Sequence, residues 1–413
     1  MRILTGRRAS SMVESLASRG TDTSAIEPTV RRIIKDVRRN GDRALRRYAA
    51  RWDSLKPSQP FQVAASDLAA AKRSLPLKLR RSLAQAADNI RRFCEWQKPS
   101  CWTRTQDGMS LGQIVRPLHS VGCYVPGGRH PLVSTLLMSV IPAQVAGVKS
   151  IRVVSPNPPQ EVLAAAALLG VEEFYRIGGA QAIAALAYGT ATVPRVDKIV
   201  GPGNAYVTTA KKLISLDCAI DLLAGPTEAV VLSDSGVPEF IAADLLSQAE
   251  HDPDALAVFI TTSPDLAHAV ASRLDQMSQE NTTARQSLRK HGAVLLAASR
   301  DQARDWANRI APEHITVAEE DLPFVHNAGS IFVGDYSPQA AGDYASGPNH
   351  VLPTSGQARF RGGLSVLDFV KIITVQQLSP AGLNQIADTV ESLAETEGLL
   401  AHAQSIRVRC SHA

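Results

Sequence analysis

The chain has 413 residues, 45% hydrophobic and 20% charged, with a formal net charge of +5. At roughly 150 residues per domain this suffices for two or three packed units, and no uncharged apolar run reaches the roughly 18 residues of a membrane-spanning helix. Five scattered cysteines (Cys94, Cys101, Cys123, Cys218, Cys410) without a Cys-x-x-Cys pair signal neither a disulfide framework nor a thiolate zinc site, so a reducing cytoplasm is the expected location. The charge is uneven, with 23 Lys+Arg against 9 Asp+Glu over residues 1–104 and 21 against 30 over the remainder. The N-terminal arginines are interleaved with helix-period apolar residues such as Ile33, Ile34, Val37 and Leu45. That pattern predicts solvated helical faces docking on an acidic remainder, and no nucleic-acid interface.

The first twenty residues carry Arg2, Arg7, Arg8 and Arg19 but lack an apolar h-region, and they read as mature N-terminus. To about residue 105 the pattern is helical, broken at Asn40-Gly41 and at Lys56-Pro57-Ser58-Gln59-Pro60. Between 118 and 235 short apolar runs alternate with helical stretches: Ser150–Val154, Phe174–Ile177, Asp197–Val200 and Ala229–Leu232. Ala257–Ile260, Ala293–Leu296 and Ser330–Val333 form a second series, and the last 40 residues read as helix. Alternation of this kind predicts βαβ units and parallel sheets, an α/β chain of two units side by side.

Three glycine turns fall where strands end and helices begin: Pro126-Gly127-Gly128, Gly178-Gly179-Ala180-Gln181 and Gly201-Pro202-Gly203-Asn204. Glycine lets a ligand approach the backbone, and the helix N-terminus that follows favours an anion such as a pyrophosphate. No G-x-G-x-x-G is present, so these loops are either plain turns or a nucleotide site of another pattern. The run Phe240–Ala249 is apolar on most of its circumference, with Asp244, Gln248 and His251 as one polar stripe and Pro253 ending the helix. An amide oxygen, an imidazole, the carboxylate of Asp343 in Gly342-Asp343-Tyr344-Ala345-Ser346-Gly347 and the isolated His402 sketch a nitrogen and oxygen set suited to Zn²⁺, Mn²⁺ or Co²⁺. Glu313-His314 pairs an acid with an imidazole, fit for proton transfer and water activation. The residues alone leave open a metal-assisted enzyme with a nucleotide cofactor and a metallohydrolase without one.

From near residue 25 to near residue 409 the chain resembles the histidinol dehydrogenase family. The resemblance is carried by Tyr124-Val125-Pro126-Gly127-Gly128, Gly178–Ala187, Gly201–Ala205, Ala224-Gly225-Pro226-Thr227-Glu228, Ser247-Gln248-Ala249-Glu250-His251, Ala311-Pro312-Glu313-His314, Gly342–Gly347, Asn349–Thr354 and Thr374-Val375-Gln376. It implies a four-electron oxidation of L-histidinol to L-histidine through the aldehyde level, with two NAD⁺ and one water, as the last step of histidine biosynthesis. It implies Gln248, His251, Asp343 and His402 as ligands of one Zn²⁺ per subunit, and Glu313 and His314 as the catalytic pair. Thr227, His350 and Glu397 match substrate-contacting positions, joined by Gln248, His251, His314, Asp343 and His402. Tyr124, Gln181 and Asn204 match positions touching NAD.

The implied fold is two incomplete Rossmann-like domains with helical N-terminal and C-terminal segments. The expected division is an arm over 1–25, a first unit over 26–119 and 236–375, a second over 120–235, and a tail over 376–413. The implied assembly is a homodimer in which Glu397 and His402 serve the partner's site. Arg129-His130-Pro131 stands where many members carry small residues, Pro348 replaces a common Thr, and Thr227 stands where Ser is frequent. A basic pair there would instead suit an anionic alcohol in a paralogous zinc and NAD dehydrogenase.

Overall fold

The structure, a computed structural model, describes residues 1–20, 22–127 and 132–411; Arg129, His130 and Pro131 lie outside them. In chain order its strands are β1 (Ile3–Thr5), β2 (Trp102–Gln106), β3 (Met109–Pro117), β4 (Ser120–Tyr124), β5 (Ser150–Val154), β6 (Glu173–Tyr175), β7 (Lys198–Val200), β8 (Ala219–Ile220), β9 (Glu228–Leu232), β10 (Leu256–Thr261), β11 (Ala293–Leu296), β12 (His314–Val317), β13 (Ser330–Val333) and β14 (Val370–Leu378). The apolar runs become central strands because helices cover both sheet faces: every residue of β9 and β10 is buried.

Two sheets are parallel throughout. One has the order β6-β5-β4-β7-β8, and the other β1-β11-β10-β9-β12-β13. Counted from β4, the smaller sheet follows the 3-2-1-4-5 order of a doubly wound nucleotide-binding fold, one strand short of the full six; counted from β9, the larger sheet repeats that order, with β1 added outside β11. The chain is therefore α/β with two incomplete Rossmann-like sheets, as expected.

The division along the sequence differs from the expected one. β9, placed with the 120–235 unit, instead pairs in parallel with β10 and β12, so the smaller sheet ends at β8. The expected arm contributes β1, which pairs with β11, and the helix Gly6–Ala17, whose Ala9, Val13 and Leu16 join the core beneath that sheet. The N-terminal helices pack elsewhere: Glu27–Trp52 shares a core with Gly179–Tyr188 and Ala205–Ile214 on the smaller sheet. That long helix is kinked at Gly41 (φ 50°), where the Asn40-Gly41 break was read.

The region around residue 105 is not helical. β2, β3 and β14 form an antiparallel sheet, after which the helices Pro380–Thr396 and Leu400–Cys410 pack on each other. This unit leaves Trp102, Leu111, Ile372, Ile373, Leu393 and Leu400 exposed. No helix among the described residues is long and apolar enough to cross a membrane.

Ligands in open parallel sheets gather at strand carboxyl ends, but in the larger sheet those ends are filled. Asp234 after β9, Arg300 after β11 and Asp321 after β12 are joined by ion pairs, Arg300 Nη1–Asp234 Oδ2 at 2.8 Å and Arg304 Nε–Asp321 Oδ1 at 2.9 Å. Asp321 is fully buried. The carboxyl edge of the smaller sheet carries the turns at Gly178-Gly179 and Gly201-Pro202-Gly203 and faces the amino edge of the larger one.

Candidate active site

A cleft of about 220 Å³ opens between those two edges. Pro202, Leu222, Ala224 and Gly225 come from the loops after β7 and β8, while Thr227, Gln248, His251, Glu313, His314, Asp343 and His350 come from the larger unit. The topology explains the gathering. A crossover helix returns from the carboxyl end of one parallel strand to the amino end of the next. The helix Pro238–Ala249 therefore delivers Gln248 and His251 beside the start of β10, level with Thr227 before β9 and with His314 at the start of β12.

The Glu313 carboxylate is buried, and its Oε2 accepts from Thr227 Oγ1 at 2.8 Å and from the Glu228 amide at 3.0 Å. Oε1 takes no hydrogen bond among the described residues. Burial pushes the carboxyl up to about 7, against the lowering influence of His314 and of the Thr227 and Glu228 donors. His314 Nδ1 stands 3.7 Å from Glu313 Oε2, and Nε2 stands 3.4 Å from Asp343 Oδ1. Burial works against charge on this ring, yet Glu313 and Asp343 on either side hold it above the usual imidazole range. Its face stacks on Phe332, centroids 5.9 Å apart.

Asp343 Oδ2 accepts from Gln248 Nε2 at 2.9 Å, while Gln248 Oε1 and Glu313 compete for the single Thr227 hydroxyl hydrogen. His350 Nδ1 lies 2.6 Å from the Asp343 carbonyl, which can only accept, so Nδ1 carries the hydrogen and Nε2 faces Thr135 Oγ1 at 3.4 Å as an acceptor. Burial depresses His350 below the usual imidazole value, consistent with a neutral ring.

Gln248 Oε1, His251 and the Asp343 carboxylate offer a mixed nitrogen and oxygen donor set on one wall of the cleft. Among the described residues no three His, Cys, Asp or Glu side chains are grouped to hold a metal ion. His402 and Glu397 do not line the cleft; they are exposed where the two C-terminal helices meet.

The Tyr124 hydroxyl accepts from the Gly179 amide at 3.1 Å, and Asn204 Oδ1 accepts from Tyr206 and Val207 to cap its helix. Gln181, 1% exposed, donates to Asp53 Oδ2, which also accepts from the Gly178 amide. These residues frame the carboxyl edge of the smaller sheet without lining the described cleft. Asp53, and Ser134 and Thr135 in the cleft, were not singled out from the sequence. Asp53 caps the end of a helix and Ser134 and Thr135 are ordinary helix residues, whereas Thr354, whose Oγ1 accepts from the Gly225 amide at 2.6 Å at the cleft wall, stands in a recognised motif. Gly201 (φ 108°) is required where it stands, because a Cβ would collide with the Tyr124 carbonyl oxygen.

The family model described as histidinol dehydrogenase matches residues 16–410. The histidinol dehydrogenase of Geobacter sulfurreducens is 47% identical over 412 residues, covering 96% of each chain. That of Escherichia coli O157:H7 is 45% identical over 402 residues, covering 94% of this chain and 92% of its own. The crystal structure of histidinol dehydrogenase from Elizabethkingia anophelis superposes with a TM-score of 0.94 at 35% identity, over 100% of this chain and 98% of that one.

Proposed function

We propose that this chain, which belongs to the histidinol dehydrogenase family and is an oxidoreductase, oxidises L-histidinol to L-histidine with two NAD⁺ in turn, closing histidine biosynthesis. The observation that carries the reading is the pairing of Glu313 and His314 in the cleft, each held by separate partners. The overall change takes one alcohol, one water and two NAD⁺ to one carboxylate, two NADH and three protons. NAD⁺ would supply the hydride acceptor in both halves.

In the first half His314 receives the alcohol proton, and the Glu313 carboxylate, 3.7 Å from Nδ1, favours the charged ring that forms. In the second half Glu313 takes a proton from the water that adds to the aldehyde carbon, with Oε2 pinned and Oε1 turned to the cleft. His350, neutral with an accepting Nε2, holds a donor group of the substrate.

Gln248, His251 and Asp343 would hold one Zn²⁺, which would supply a template for the substrate imidazole and amine and Lewis-acid polarisation. The donor chemistry fits, and His402 of the same chain does not line the cleft. His402 of a second copy supplies the fourth ligand in this reading, with Glu397 of that copy reaching the substrate. The exposed apolar residues of the C-terminal unit support a homodimer, since surface of that kind calls for a partner.

The reading is tested with purified protein, L-histidinol, NAD⁺ and Zn²⁺, following absorbance at 340 nm and quantifying histidine. Two NADH per histidine, lost on chelation, is the expected result. NADH with another alcohol and none with histidinol would overturn the substrate assignment in favour of a paralogue. Arg129 and His130, on which that alternative rests, lie outside the described residues.

A further inference from the structure

Directly behind the cleft, and outside its lining, Glu228 and Arg19 form a forked ion pair. Arg19 Nε lies 2.7 Å from Glu228 Oε1, and Nη2 lies 2.6 Å from Oε2. The Glu228 side chain is 5% exposed and that of Arg19 17%. A carboxylate taken out of water at such a position is costly unless its charge and lone pairs are met, and the planar guanidinium fork meets them bidentately.

The pair joins four chain segments that are far apart in sequence. Arg19 Nη1 donates to the Ile310 carbonyl at 2.7 Å and also to Leu16. Ile310 ends the helix before Ala311, which is held in the left-handed region (φ 49°) two residues ahead of Glu313. Glu228 Oε1 accepts from the Ser355 amide at 2.8 Å, next to Thr354 in the cleft wall. The Glu228 amide donates to Glu313 Oε2. Both ends of the Glu313 environment, the backbone that carries it and the amide that holds its carboxylate, are therefore tied to one guanidinium.

We propose that Arg19 and Glu228 are positioning residues for Glu313: the buried pair orients that carboxylate toward the water consumed in the aldehyde half of the reaction. The inference rests on the proposed function and deepens it, because Glu313 is the group placed on the water. The ion-paired side chains contact neither His314 nor the metal-ligand wall, and Glu228 meets His314 through its backbone alone, so the alcohol half depends on the side-chain pair less. Near-attack geometry is steep in distance, and displacement by about 1 Å can cost about a hundredfold.

The test uses full-length, zinc-loaded Arg19→Met, Arg19→Lys and Glu228→Gln. Oxidation of supplied L-histidinal is measured at steady state, and the first hydride transfer from L-histidinol in a single turnover with one equivalent of NAD⁺. The expected result for Arg19→Met is a fall in kcat for histidinal of about tenfold or more, with KM values within about twofold and the alcohol step within about threefold. Arg19→Lys, which keeps the charge and loses the fork, should recover part of the loss. The Arg19→Met, Glu228→Gln double variant should be no worse than the poorer single one.

Equal losses in both halves, or no loss in either, would overturn the inference while leaving the function standing. Wild-type protein inactive on both substrates would overturn both. Should Arg19→Met fail to fold, the same split in Glu228→Gln decides, since that side chain keeps its shape and its acceptor for Ser355.

Discussion

His314 Nε2 stands 3.4 Å from Asp343 Oδ1, while Nδ1, buried, has no hydrogen-bond partner among the described residues. A ring nitrogen without a partner at a buried position costs on the order of 1–3 kcal/mol, so the imidazole is held for a purpose other than stability. Two carboxylates flank it and Phe332 supports its face, which fixes the ring plane while leaving one nitrogen open to exchange protons.

Replacing His314 by Asn keeps a polar side chain of similar reach but removes the base. The alcohol step should fall by about 10²–10⁴-fold, the usual worth of positioned general-base catalysis. Binding of L-histidinol, measured by calorimetry on the zinc-loaded protein, should change little. A loss confined to binding would reassign His314 to substrate holding.

In the proposed reaction Glu313 would carry the pH dependence of the aldehyde step. It faces His314, Thr227, the Glu228 amide and the Glu228–Arg19 pair, with Asp343 beyond His314, and burial lifts its carboxyl to about 7. The base form is the deprotonated one. Histidinal oxidation should therefore rise as pH climbs through about 7 and level off above it. Glu313→Gln should flatten that limb and lower the plateau by about a hundredfold or more; a limb unchanged in the Gln variant would assign the titration to another group.

Much of this arrangement was legible in the chain and some was not, for identifiable reasons. The runs Ala229–Leu232 and Ala257–Ile260 announce buried parallel strands because both faces are covered. The same uniform apolarity hides which sheet each joins, and β9 was assigned to the wrong one. β1 is three residues long and gains its strand character only from pairing with β11. Gln248, His251, Glu313, His314 and Asp343 stand in recognisable motifs, and they share one cleft. Arg19 and Glu228 are 209 positions apart, and although Glu228 ends one of the recognised motifs, only the folded chain makes the two partners.

The proposed metal wall gives a prediction independent of turnover. His251→Asn and Asp343→Asn should each weaken Zn²⁺ retention by more than about tenfold, read by metal analysis after dialysis against a graded chelator. Gln248→Glu should retain the metal, because a carboxylate oxygen replaces the amide oxygen, yet it would add charge beside Asp343, which the Gln248 amide now touches at 2.9 Å. Unchanged retention in the His251 and Asp343 variants would remove this wall as the site.

Subunit sharing can be tested by complementation. Glu397 and His402 lie outside the cleft of their own chain, so in a homodimer each site would combine His314 of one subunit with His402 of the other. His314→Asn and His402→Asn homodimers should both be nearly inactive. In a mixed dimer one site carries both substitutions and the other carries neither, so the dimer should show half the wild-type activity. Random reassortment of equal amounts yields half mixed dimers, and activity should recover to about a quarter of wild type. If each chain used its own His402, every site in the mixture would still lack one histidine, and no activity would return.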